Sequence, residues 1–313
     1  MSKPSCLHRT SIGGQAIMEG VMMRGPEKTV IAVRNPQGEI VLEPLKDEAK
    51  FKKLKKIPII RGIFNFISSL TVGFDAINRS TEIALSEEEL EPDKFDQWLE
   101  KHFGDKATKI ITGITMVLGV VMALGLFVFL PYGAMWGLEK LTGWTSGWWF
   151  YLIEGLIRIG LFLLYIVLVR QMKEIKRLFA YHGAEHKTIH CYEHGKELTV
   201  ENAASFTPLH KRCGTNFLVI VMVVSILLFS FIRVDHQLLR LALRILMLPV
   251  VAGLSYEVIK VAGRFDNWFT TAISFPGLLL QKLTTAEPDA GQLEVAIASL
   301  QAVIPENKDE DKW

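Results

Sequence analysis

Four stretches of this chain, 110–136, 148–169, 215–232 and 238–259, are nearly continuous apolar runs. At 1.5 Å of rise per residue, each is long enough as a helix to cross a hydrocarbon core of about 30 Å. Lipid admits only helices or closed barrels, and runs this long are helical rather than strand-like. Half of all residues are hydrophobic and they are bunched rather than periodic, as in membrane proteins. The expected fold is therefore mainly α: a polytopic α-helical membrane protein with four transmembrane helices. Trp136, Trp144, Trp148 and Trp149 cluster around the first connection, where an aromatic belt would lie.

Lysine and arginine placement sets the expected orientation. Seventeen of the thirty-five precede the first span, the 137–147 turn holds only Lys140, and 170–214 holds eight. The positive-inside rule then places both termini and the 170–214 loop in the cytoplasm. The net charge of +2 offers no global field for nucleic acid, and none is expected as a partner. Cys6, Cys191 and Cys213 are an odd set without framework spacing, which points to a reducing compartment. The first thirty residues lack a continuous apolar core, so no cleavable signal peptide is expected.

Three segments follow: a cytoplasmic N-terminal region at 1–109, a transmembrane region at 110–259 containing the loop, and a cytoplasmic end at 260–313. Residues 1–30 read as irregular. Thr29–Val33 and Glu39–Leu42 around Asn35-Pro36-Gln37-Gly38 read as a small β-hairpin. Lys50–Ile57 is a cationic run suited to anionic headgroups, and 86–103 is acidic, with a short helix beginning near Pro92. Pro58–Ser80, interrupted by Arg61, Asn65 and Asp75, reads as an interfacial or re-entrant helix. Trp268–Leu283 is interrupted by Pro276-Gly277 and reads as interfacial. Leu293, Ile297, Leu300 and Ile304 mark a short helix, and 307–313 a disordered charged tail. In the second span, Glu154 and Arg158 lie four apart and should neutralise one another.

The chemistry is concentrated in the loop. Four of the eight histidines stand at 182, 186, 190 and 194, with Glu185, Glu193 and Cys191 among them. Helical spacing of four places neighbouring imidazoles on one face, an arrangement suited to a divalent metal, zinc above all. The positions drift by about 40° per step, so one site cannot use all four. His182-Gly183-Ala184-Glu185-His186 spells H-x-x-E-H, in which two histidines hold the metal and the glutamate acts as base. His182 with His186 is the preferred pair and His186 with His190 the alternative. His210, Cys213 and Glu257 are candidates to complete the shell. Gly195 should end the helix. Lys187 and Arg212 are placed to meet an anionic group. A basic loop whose histidines only pack or meet headgroups is the competing reading.

The stretches IGGQAIMEGVMMRGP (12–26), AYHGAEHKTIHCYE (180–193) and HKRCGTNF (210–217), with four spans after an N-terminal part, resemble the YqhQ family of bacterial membrane proteins. The resemblance covers nearly the whole chain. It implies a multi-pass protein of the bacterial plasma membrane and a predicted metal-dependent enzyme of unknown function, without supplying substrate or catalytic residues. The functional expectation is a metal-dependent hydrolase at the cytoplasmic face, with Glu185 as base, acting on a lipid or membrane-protein substrate. The alternative is a non-enzymatic membrane-protein assembly or biogenesis factor with a structural metal site; membrane lipids and other membrane proteins are the expected partners in either case. A transporter fits less well, since no internal repeat is evident.

Overall fold

The apolar positions between residues 12 and 45 form four strands, β1 (Gly13–Ile17), β2 (Gly20–Arg24), β3 (Thr29–Arg34) and β4 (Ile40–Leu45). They make one antiparallel sheet in the order β1-β2-β3-β4. The computed structural model describes residues 7–46, 57–86, 102, 107–143, 148–232, 234, 236–264, 267–307 and 309–312. The cationic run at 50–56, most of the acidic stretch 86–103 and Trp144 of the aromatic belt lie outside them.

The expected hairpin is β3–β4, registered from Thr29 opposite Leu45 to Arg34 opposite Ile40, with Gly38 at φ +87° in its turn. Residues 13–24 are not irregular: they form a second hairpin. Its strands carry glycine and methionine, poor strand signals, and its two-residue turn is Met18-Glu19, with Glu19 at φ +47°, rather than a glycine turn. Moreover, β2 and β3 are buried on both faces, which removes the alternation that would betray them.

Among the described residues, eleven helical elements follow or flank the sheet: α1 (Ile60–Ala84), α2 (Ala107–Leu124), a π-helical turn (Gly125–Phe129), α3 (Leu130–Thr142), α4 (Trp148–Val169), α5 (Lys173–Glu193), α6 (Val200–Ala204), α7 (Gly214–Ser230), α8 (Gln237–Arg264), α9 (Trp268–Thr284) and α10 (Ala290–Val303). One face of the sheet, Val21, Met23, Val30 and Ala32, packs on Tyr181 and Ala184 of α5 and on Leu293, Ala296 and Leu300 of α10. The other, Ile17, Met22, Ile31 and Val33, packs on Val72 and Ala76 of α1. Burying a side chain such as Leu300 stabilises by about 2 kcal/mol. A capping box between Asp289 and Gln292 starts α10. The first, middle and last parts of the chain thus meet in one unit. Within the tail expected to be disordered, Asp311 is fully buried and accepts from the Thr10 hydroxyl at 2.6 Å and the Tyr192 hydroxyl at 3.1 Å.

Among the described residues, four helical stretches are long and apolar enough to cross a membrane by length and composition: Ile60–Ala84, Gly113–Thr142, Leu152–Val169 and Leu238–Gly263. The expected number stands, but its membership changes. α1, expected to be interfacial or re-entrant, is a continuous 25-residue helix, while α7 has 17 residues and falls among the shorter apolar helices. α1 and α8 approach through glycines: a Cβ on Gly62 would lie 2.9 Å from Gly253 Cα. α9 is continuous through Pro276 and presses Gly277 against Asn216 of α7, where a Cβ would lie 1.9 Å from Oδ1. Glu154 and Arg158 do pair, at 3.0 Å, and Arg244 joins the same carboxylate at 2.6 Å. Arg158 also donates to the Phe127 carbonyl in the π turn at 2.8 Å.

Candidate metal centre

Glu174 lies in the first turn of α5, where a carboxylate complements the helix dipole, and Gly195 at φ +65° follows its C-cap, His194. Beside α5 runs the connection 205–213, clamped by Gln281 of α9. The Gln281 side chain accepts from the His210 amide and donates to its carbonyl, both at 2.8 Å. Cys213 then caps α7, its sulfur accepting from the Thr215 amide at 3.3 Å.

Among the described residues, two groups of side chains have ligand atoms within 4.8 Å of one another: His182, His186 and Cys213, and separately His190, Glu193 and His210. In the first, His182 Nδ1 donates to the Thr284 carbonyl at 2.8 Å and His186 Nδ1 to the Pro208 carbonyl at 2.5 Å. Donation through Nδ1 leaves the lone pair on Nε2 in each ring, the orientation found in metal-ligating histidines. His182 Nε2 lies 3.1 Å from Cys213 Sγ, and His186 Nε2 is buried with no hydrogen-bond partner among the described residues. An imidazole nitrogen so prepared and then left unmatched is costly unless a cation takes it. Burial pushes the Cys213 thiol up, but the adjoining His186 and His182 outweigh it and hold it well below its usual value. Burial likewise opposes charge on His182, yet the Cys213 sulfur and Glu185 raise its pKa to about 9, so without a cation a proton stays on Nε2 against that sulfur, and a metal would have to displace it. Two imidazoles and a sulfur held as thiolate suit zinc, and three protein ligands leave a position open.

Glu185 stands just outside this set. Its Oε1 accepts from the Gly14 amide of β1 at 2.9 Å, and burial raises its carboxyl pKa. The glycine is needed there, since a Cβ on Gly14 would lie 2.6 Å from the Met22 carbonyl and 3.0 Å from the Glu185 carboxyl carbon. β1 therefore closes over the histidines.

The second group is satisfied internally. Glu193 accepts from the Thr10 amide at 3.0 Å, from Arg212, and from His210 Nε2 at 3.5 Å, while His190 donates through Nε2 to the Leu209 carbonyl at 3.0 Å. Burial pushes the Glu193 carboxyl up, but His210 and Arg212 bring it below its usual value. Burial lowers His190 to about 4 and lowers His210 too. These rings stay neutral beside their anion.

The expected ligands are thus divided. His182, His186 and Cys213 meet; His190 and His210 belong to the adjoining network. Glu257 joins neither group, because Arg61 grips it at 2.7 Å through Nε and the Ile59 amide adds a bond at 3.2 Å. Nor do Lys187 and Arg212 face an external anion: Lys187 pairs with Glu287 and the Ala204 carbonyl, Arg212 with Glu193. Glu193 escaped the sequence reading as a site residue, although it stands three after His190 on the same helical face. No sequence signal marks the Thr284 and Pro208 carbonyls.

A cavity of about 540 Å³ opens onto this cluster. Its lining includes His182, Glu185, His186 and Cys213 together with the apolar Val72 of α1, Phe179 of α5 and Leu218 of α7.

The sequence pattern of the family described as "Protein of unknown function (DUF1385)" matches residues 57–306. Both histidine groups fall inside that range, and Gly14 precedes it. The "Uncharacterized protein YqhQ" of Bacillus subtilis (strain 168) is 36% identical over 303 residues, covering 93% of this chain and 92% of the relative. No solved structure matches.

Proposed function

The chain belongs to the DUF1385 family of unknown function, and we propose that it is a metal-dependent hydrolase of the bacterial plasma membrane. The observation that carries this reading is the unmatched, buried His186 Nε2, in a group with His182 and Cys213 whose ligand atoms lie within 4.8 Å of one another. A divalent ion held there, zinc by the chemistry of the donors, supplies Lewis-acid polarisation in an otherwise enclosed site. Glu185, with one oxygen fixed by Gly14, keeps the other to take a proton from an attacking water and return it to the leaving group. Its burial raises its pKa toward that of a useful base. Thr284 and Pro208 hold the two imidazoles, and Gln281 holds the connection that delivers Cys213. The cavity wall shared by α1 and α7 favours a lipid or membrane-protein substrate over a freely soluble one. In this reading the site and both termini face the cytoplasm.

A second reading has one observation in its favour. The same ligands tie α5, the 205–213 connection and, through Thr284, α9, so an ion there would also lock three elements, as a non-enzymatic assembly factor would need. Elemental analysis of the detergent-purified chain beside a His182→Ala/His186→Ala double variant tests both. About one zinc per chain, lost in the double variant, is the expected result; metal-free wild type after reconstitution would sink the hydrolase. Glu185→Gln should then keep the metal and lose in vivo function, whereas retained function leaves only the structural role.

A further inference from the structure

The outer edge of β1 lines the cavity and is incompletely used. The Arg34 amide donates to the Glu19 carbonyl between β3 and the start of β2. This sets the phase of the ladder: Val21 and Met23 bond toward β3, so Gly20, Met22 and Arg24 bond toward β1. Ile17, Gln15 and Gly13 are their bonded partners, which turns the amides and carbonyls of Gly14 and Ala16 outward. The Gly14–Glu185 bond independently gives the same phase.

Along this edge every second amide should need a partner, and nearly all have one. Thr10 donates to Glu193 at 3.0 Å, Ile12 to the Thr10 hydroxyl at 3.0 Å, Gly14 to Glu185 at 2.9 Å and Met18 to the Ser80 hydroxyl at 3.2 Å. The exception is Ala16. Among the described residues, neither its amide, nor its outward carbonyl, nor that of Gly14 has a hydrogen-bond partner off the sheet. The edge is also stripped of bulk at that point, because Gly13 and Gly14 have no side chains and a Cβ on Gly13 would meet nothing within 4 Å. Glu19 pairs with Arg177, Gly14 with Glu185 and Thr10 with Glu193, so α5 runs antiparallel to β1. Ala16 consequently sits level with the His182 turn.

We propose that this edge docks an extended polypeptide segment, which adds to β1 as a short fifth strand and passes its main chain across the His182–His186–Cys213 cluster. A strand presents an alternating donor and acceptor pattern that the Gly14 carbonyl and the Ala16 amide and carbonyl can bind regardless of side chain. Acyl chains have no such groups to offer. The cavity volume holds a few residues, matching a free edge of about three residues, roughly 10 Å. The inference rests on the reading that this cavity receives the substrate, and it selects a polypeptide over a lipid.

The test uses the full chain in nanodiscs and a fluorescein-labelled decapeptide library randomised at every position, with binding read by anisotropy and metal content measured on the same samples. Saturable binding is expected, at least tenfold weaker for the same library N-methylated throughout, since methylation removes the donors without altering the side chains. Gly13→Leu should weaken binding at least tenfold by filling the groove, with metal content unchanged. Ala16→Pro, which removes only an outward amide, should act in the same direction. Equal binding of the methylated and unmethylated libraries overturns the proposal. So does wild-type affinity in Gly13→Leu, or saturable binding of dihexanoylphosphatidylglycerol with none of the peptides. Metal without peptide binding would remove the docking edge alone; peptide binding without metal would remove the hydrolase reading alone.

Discussion

Glu193 is the residue whose loss should be felt furthest. Its side chain is 4% exposed and that of Arg212 10%, and one carboxylate receives the Thr10 amide, Arg212 and His210. Through these bonds the N-terminal strand entry, the end of α5 and the Cys213 connection are held together. At an effective dielectric of about 20, two charges about 4 Å apart attract by about 4 kcal/mol. Removing one partner of a buried pair typically costs about 3–5 kcal/mol, because the other charge is left uncompensated. Glu193→Ala should therefore lower hydrogen-exchange protection of amides in β1 and the C-terminal half of α5 by about a hundredfold to a few thousandfold. Glu193→Leu/Arg212→Met, which removes both charges, should recover most of that protection. Exchange measured by mass spectrometry on the full chain in detergent reads both. A loss below tenfold in Glu193→Ala, or a double variant as weak as the product of its single variants, would refute the hub.

Three further expectations follow from single contacts. Gly183→Ala should destabilise by about 1–3 kcal/mol in thermal melting and weaken zinc binding, since its Cβ would lie 2.1 Å from the Ala286 carbonyl, two residues from the carbonyl that orients His182. Cys213→Ser should lower zinc content while Cys191→Ser leaves it unchanged, because Cys191 is buried against the Lys196 and Glu197 carbonyls instead; elemental analysis distinguishes them. Glu257→Gln should also leave zinc content at the wild-type level, its carboxylate being committed to Arg61; metal lost from this variant would return Glu257 to the ligand set.

Long apolar runs, the β3–β4 turn and the Leu293–Leu300 spacing were legible because each is a local pattern with one physical reading. The 13–24 hairpin was not, since Gly13, Gly14 and the methionines carry no strand preference and their pairing is set by what packs on both faces. The interruption at Pro276 looked like a break, yet the packing of Gly277 on Asn216 keeps α9 continuous. Arg61 was among the interruptions that made α1 read as interfacial or re-entrant rather than spanning; Glu257 on α8 meets that charge, and only tertiary contact could supply it.

The candidate centre divides in the same way. His182, Glu185 and His186 stand on one helix, so their mutual placement follows from 3.6 residues per turn and is written in the sequence. Whether Cys213 or Glu257 approaches them depends on where α7 and α8 pack, and that is decided by glycine contacts and ion pairs far from the histidines. Which ring nitrogen keeps its lone pair depends on two backbone carbonyls, of Thr284 and Pro208, that any residue could have provided. Sequence determines the donors an element carries; the tertiary structure decides which of them converge, because convergence is a property of packing between segments that are distant in the chain.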